Sequence, residues 1–185
     1  AAHTKGMEMP AYDPRGNYGM GLAYATSERG ACHLRAFPLF ADDPFKLKDL
    51  AKDVVAMQNV NGAKWSMCFC DFWGSVDTTI MAELLTTGLG RQVSATDLAR
   101  VGERVWNLVR MFNLAAGFTA ADDTLSDKLT KRALENGPHE GRTLSPEILE
   151  VLKGFYYRRR GWDKAGRPKA AKLRELGLAD LMEQV

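Results

Sequence analysis

Apolar residues recur at three-to-four spacing along most of the chain after Pro44, and a stripe with that period predicts helices. The first stripe is Leu47, Leu50, Ala51, Val54, Val55, Met57 and Val60. Asp43 stands where a cap belongs and Pro44 suits a first turn, so a helix is predicted from Pro44 toward Asn61. A second helical stretch is predicted over 63–72. Ser94 with Asp97 three residues later resembles a capping box. The helix it opens places Leu98, Val101, Val105, Leu108 and Phe112 on one face, which is expected to be core. Further on, a helix is predicted over 128–134, ended by Asn136-Gly137-Pro138. Ser145-Pro146-Glu147 opens another, with Ile148, Leu149, Leu152, Phe155 and Tyr156 as its apolar stripe and Gly161 as its stop. Short amphipathic helices over 169–176 and 179–184 complete the chain, separated by Gly177.

Residues 1–40 read differently. They are rich in Gly and Pro, and the run from Pro10 to Gly16 carries turn chemistry that interrupts regular structure. An ordered loop and a short helix over 20–27 are expected there. No alternating strand pattern of useful length, internal repeat or low-complexity tract is present, so the class is mainly α. The expected organisation is an irregular N-terminal segment, 1–40, then central helices over 41–135 and carboxy-terminal helices over 136–185.

Composition narrows this picture without naming a ligand. At 185 residues and 45% apolar content the chain can bury a sizeable core. Its 25 basic and 23 acidic residues leave a formal charge of +2, too small a field to argue for nucleic acid or an anionic membrane. No apolar run approaches the roughly 20 residues needed to span a bilayer. Three cysteines, Cys32, Cys68 and Cys70, with no hydrophobic signal segment, favour thiols or ligands in a reducing cytoplasm over disulfides. The chain opens without an initiator Met and without a first element of its own, so it reads as a fragment.

Three groups could carry chemistry. Cys68-Phe69-Cys70 offers two thiolates to a soft metal, although a Cys in an apolar helical stretch is more often a small buried hydrophobe. Were the stretch helical, two steps would turn Cys68 about 200 degrees away from Cys70. His3 and Lys5, two apart, would share a side of an extended backbone and offer a proton donor and an anion contact. Arg158-Arg159-Arg160 ends a helix, where cations complement the dipole, so a solvated cap accounts for it.

Four stretches together resemble one family. They are His3-Thr4-Lys5-Gly6 running on to Tyr12-Asp13-Pro14-Arg15-Gly16; Gly19 through Arg35; Gly102-Glu103-Arg104-Val105-Trp106-Asn107-Leu108 with Phe112-Asn113; and Tyr156 through Asp163 with the leucine-rich run from Leu173 to Leu178. In this order they are similar to the carboxy-terminal portion of the tungsten-containing aldehyde:ferredoxin oxidoreductases. The resemblance implies a multi-helix carboxy-terminal domain of an enzyme that oxidises aldehydes to carboxylic acids. It also implies a bis-pterin-bound tungsten (or molybdenum) and one 4Fe-4S cluster, with ferredoxin as electron acceptor.

Laid on the family's D-x-x-G-L-C motif, Trp65-Ser66-Met67-Cys68-Phe69-Cys70 puts Cys70 at the fourth cluster cysteine and Phe69 beside the cofactor. The motif's aspartate, which holds a pterin amine in the family, is Trp65 here, and its glycine is Cys68. The resemblance also implies that His3 assists proton transfer at the substrate oxygen and that Lys5 contacts pterin. The other three cluster cysteines belong to an earlier C-x2-C-x3-C segment absent from these residues, so the isolated chain is expected to bind no cluster and to be inactive. Expected partners are the missing N-terminal domains, ferredoxin and an aldehyde substrate, with a homodimer among the quaternary states open to it. Two other readings stand beside this one: the tungsten subunit of an aromatic acyl-CoA reductase, and a non-catalytic helical docking domain.

Overall fold

A computed structural model describes residues 1–72 and 76–180. Among these, a hairpin of β1 (His3–Thr4) and β2 (Met7–Glu8) precedes α1 (Tyr18–Thr26), α2 (Leu47–Ser66), α3 (Thr78–Leu89), α4 (Ala95–Ala115), α5 (Asp127–Thr130), α6 (Pro146–Arg160) and α7 (Ala170–Glu175). The mainly α class agrees with the sequence pattern. The hairpin strands, two residues each, are too short to show a period of two.

The centre is α1. All nine of its residues are buried, and Asn17 caps it by accepting the Met20 N–H at 3.1 Å. Around it lie Leu50, Ala51 and Val54 of α2, Leu149, Leu152, Tyr156 and Tyr157 of α6, and Leu125, Leu129 and Leu144 from the intervening chain. A helix that is apolar all round belongs inside.

Several boundaries differ from the pattern's expectation, each for a visible reason. Asp43 and Pro44 form a turn ahead of α2 and not its first turn: Asp43 accepts the Phe45 N–H at 2.8 Å, and the Pro44 carbonyl accepts the Tyr18 N–H at 3.0 Å. α2 then runs unbroken past Asn61 to Ser66, so no separate helix occupies 63–72. Gly62 sits inside it because α4 crosses there, with Gly102 Cα 3.0 Å from where a Gly62 Cβ would stand, while a Cβ on Gly102 would fall inside the Asn59 carbonyl. Only glycine permits this approach. The hydrogen bond from Trp106 Nε1 to the Gln58 carbonyl, 2.5 Å, fixes the crossing.

α5 is a single turn where the pattern predicts a helix over 128–134. The Leu134 N–H, which a helix would give to the Thr130 carbonyl, bonds the Arg142 carbonyl at 2.9 Å instead. The pattern does not predict α3, which buries Met81 and Ala82 fully and Leu85 in part and which Asp77 caps through the Thr79 and Ile80 N–H groups. The helix predicted over 179–184 lies largely outside the described residues.

α4 keeps its predicted capping box and loses its predicted core face. Leu98 is buried, but Val101 and Leu108 are exposed and Phe112 is 71% exposed. The buried side carries Gly102, Trp106, Asn107, Arg110, Met111 and Asn113. Its polar members are bonded, Arg110 Nη2 excepted: Asn107 Oδ1 accepts from Trp162 Nε1 (2.8 Å), Arg110 Nε donates to the Gly166 carbonyl (2.8 Å), and Asn113 Nδ2 donates to the Glu28 carbonyl (2.8 Å). Satisfied polar groups can be buried at little cost, so hydrogen-bond partners outweighed the apolar count. No helix among the described residues is long and apolar enough to cross a membrane.

Candidate functional site

The cysteine segment takes its shape from how α2 ends. Phe69 N–H bonds the Lys64 carbonyl at 3.0 Å and Cys68 N–H bonds the Trp65 carbonyl at 3.0 Å. Those two bonds, with a left-handed residue between the cap and the exit, are a Schellman closure. The left-handed residue is Cys68, at φ 58. Cys68 and Cys70 are therefore not in a helix, and both are exposed free thiols; Cys32 is buried and accepts from Arg29 Nη2 at 2.8 Å. Phe69 packs with Met67 and Val60 against a second small core of Ala63, Val76, Met81, Ala82 and Leu98. It anchors the turn that presents Cys70 to solvent.

Trp65 ties the same turn down. Its Nε1 donates to Asp71 at 2.7 Å, its ring lies 6.1 Å from Trp106, and the Arg35 guanidinium stacks over it at 4.0 Å. Asn61 Nδ2 donates to the carbonyls of Leu34 (2.8 Å) and Arg35 (3.2 Å), docking the 28–37 segment on α2. Between them opens a cleft of about 330 Å³ lined by Tyr12, His33, Leu34, Phe37, Asn61, Asp71 and Phe72. His33 stands in this lining with Tyr12 at 5.5 Å between ring centroids.

The other sequence-predicted site residues, His3 and Lys5, lie on the hairpin. Lys5 (φ 50) and Gly6 (φ 79) make its two-residue turn, with left-handed backbone at both positions as a type I′ turn requires. The strand alternation therefore stops at Thr4, and His3 and Lys5 do not share a side as an extended backbone would make them. His3 is exposed, whereas the Lys5 side chain is 3% exposed and points inward. Its Nζ donates to the Ala25 carbonyl at 2.6 Å and to Asp123 Oδ1 at 3.0 Å.

Asp123, fully buried, also accepts from Arg110 Nη1 (3.1 Å) and from the Tyr157 hydroxyl (2.6 Å). Burial lowers the pKa of the Lys5 ammonium from its ordinary value, against the raising effect of Asp123. Burial and then the Asp123 charge raise that of the Tyr157 phenol, so it remains a donor. Neither Asp123 nor Arg110 had a sequence signal: one lies in a turn-rich stretch and the other on a helix face expected to be outside the core.

A sequence model of the family described as aldehyde ferredoxin oxidoreductase, domains 2 & 3, matches residues 1–178. The chain belongs to that family. It is 34% identical to the tungsten-containing aldehyde ferredoxin oxidoreductase of Pyrococcus furiosus, over 96% of this chain and 31% of that protein. Against the protein of the same name from Pyrococcus horikoshii it is 35% identical, over 97% of this chain and again 31% of the relative. The chain thus spans about a third of the length of the curated relatives it matches. Among solved structures, the active site complex BamBC of benzoyl coenzyme A reductase in complex with 1,5-dienoyl-CoA shares its fold, with a TM-score of 0.62 at 19% identity over 81% of this chain and 22% of that one.

Family membership gives the Schellman turn a meaning. In the register that the sequence resemblance suggests, the glycine of the D-x-x-G-L-C motif would fall on the left-handed Cys68. An exposed free thiol on a closed turn fits one ligand of an iron-sulfur cluster, and Cys70 is such a thiol. Among the described residues no group of three His, Cys, Asp or Glu side chains is placed to hold a metal. Trp65, at the motif's aspartate, has already given its one N–H to Asp71 and has no carboxylate for a pterin amine.

Proposed function

We propose that this chain is the carboxy-terminal part of a tungstopterin and iron-sulfur oxidoreductase that oxidises aldehydes to carboxylic acids and delivers the electrons to ferredoxin. The observation that carries the reading is the family match over residues 1–178, with an exposed thiol at the position of the motif's cysteine. The bis-pterin metal, tungsten or molybdenum, would supply the two-electron chemistry at the aldehyde carbon, and the 4Fe-4S cluster a one-electron exit.

The chain's own residues hold and orient. Cys70 contributes a thiolate ligand, and Phe69 keeps its turn in place by packing inward. His3, exposed on the hairpin, gives or takes a proton at the substrate oxygen, a task suited to an imidazole, whose two ring nitrogens can donate and accept. Lys5 has two of its three donors engaged. The third is left for a pterin oxygen.

Purified full-length protein is expected to contain about four irons and one tungsten per chain, the composition of one such cluster and one such cofactor. It should also reduce viologen or ferredoxin in an aldehyde-dependent way. Metal with no aldehyde-dependent reduction would overturn the aldehyde reading and favour the tungsten subunit of an aromatic acyl-CoA reductase, a second reading supported by Trp65 and Cys68 in place of the motif's aspartate and glycine. Absence of both metals would leave a helical docking domain.

A further inference from the structure

The His3 imidazole has no hydrogen bond of its own among the described residues, so its location is decided by the backbone that carries it. That backbone is gripped from one direction. Ser126 donates its N–H to the His3 carbonyl at 3.3 Å and accepts the His3 N–H on its hydroxyl at 3.4 Å. Three residues earlier in the same loop, Asp123 holds the ammonium of Lys5, the turn residue. Gly30 closes the opposite side, since a Cβ there would stand 2.5 Å from the Thr4 carbonyl oxygen.

The grip is rigid because Asp123 is itself held. The Thr119–Asp122 turn precedes it, with Asp122 Oδ2 accepting the Thr119 N–H at 2.7 Å, and Arg110 and Tyr157 bind its carboxylate from α4 and α6. A carboxylate that bridges a hairpin to two core helices converts the position of the core into the position of the hairpin.

We infer that Asp123 is a positioning residue for His3, acting through the Lys5 ammonium to set where the imidazole stands, and that the 119–126 loop is part of the catalytic architecture without touching substrate. The catalytic consequence rests on His3 being the proton-transfer group; the mechanical tie does not.

Two arms test it on the intact protein. In the metal-free form, hydrogen exchange at the amides of residues 3–8 is compared in wild type, Asp123→Asn, Lys5→Met and Tyr157→Phe. Breaking the tie should speed exchange about tenfold in Asp123→Asn and Lys5→Met, the effect of one charge-assisted hydrogen bond, and speed it by less in Tyr157→Phe, which keeps the Lys5 and Arg110 bonds to Asp123 and loses only the phenol's. Should Asp123→Asn fail to fold, Lys5→Met, which leaves the Arg110 and Asp123 charges paired, decides this arm.

In the metal-loaded enzyme, the limb of the pH–rate profile abolished by His3→Gln should also vanish in Asp123→Asn, with kcat reduced about tenfold and KM unchanged, and persist in Tyr157→Phe. Unchanged hairpin exchange, or an Asp123→Asn enzyme that keeps the limb, overturns the inference. A His3→Gln enzyme with a normal profile would instead remove His3 from the proposed function while the exchange result still decided the tie.

Discussion

α2 and α6 end on the same backbone device and put it to different uses. At α6, Trp162 N–H bonds the Tyr157 carbonyl (2.8 Å), Gly161 N–H bonds the Arg158 carbonyl (3.2 Å), and Gly161 has φ 70. At α2 the equivalent bonds close around Cys68 with φ 58. α4 and α7 close in this manner on Gly117 and Gly177. The two turns part company at their exits. After Gly161 the chain drives Trp162 into the core, whereas after Cys68 it packs Phe69 only partly and then exposes Cys70. The turn geometry is therefore independent of what it delivers. The non-glycine residue sits at the delivering turn nearest the proposed chemistry, where a left-handed L-residue costs about 1–2 kcal/mol.

The comparison can be broken most severely at α6. Gly161→Ala adds the left-handed penalty and a Cβ that would meet the Lys172 side chain at 2.8 Å. It is expected to destabilise by about 2 kcal/mol in urea unfolding. Cys68→Gly is the reciprocal change and should stabilise by about 1 kcal/mol, raising the urea midpoint at constant slope. A loss of stability there would mean that the thiol is held by something the turn geometry does not explain. Trp65→Phe keeps an aromatic ring and deletes the N–H to Asp71; a cost of about 1 kcal/mol is expected, together with faster thiol labelling at Cys70 as its turn loosens. Cys70→Ser should fall within about 0.5 kcal/mol of wild type in the unfolding of the chain itself, because the thiol is exposed. In the metal-loaded enzyme the same substitution is expected to lower iron content, measured per chain.

These sites also mark where the sequence was readable. The end of α6 was legible in Gly161 itself, because glycine advertises a left-handed position. The end of α2 was not: Cys68 carries no such signal, and the apolar run around it predicts helix through 72. Resemblance to the D-x-x-G-L-C motif singled out Cys70, yet gave no reason for the motif's glycine until the turn was seen. Lys5 shows the opposite failure. Its alternation with His3 suggests a shared side, but the two-residue turn reverses it and Asp123, remote in sequence, claims its ammonium. α4 misleads in a third way, for Leu108 and Phe112 have the spacing of a core stripe while Asn107 and Arg110 take the core.

By itself the sequence determined the mainly helical class, the capping of α4 and α6, and membership of a family, because periodicity, caps and motifs are local and survive in a linear reading. The tertiary structure alone decided which face of α4 is buried, that α2 runs through Gly62 against Gly102, and that Lys5 is tied to Asp123. Each of those depends on a partner far along the chain, and hydrogen-bond satisfaction and backbone contact outweigh local apolar spacing once the partner arrives.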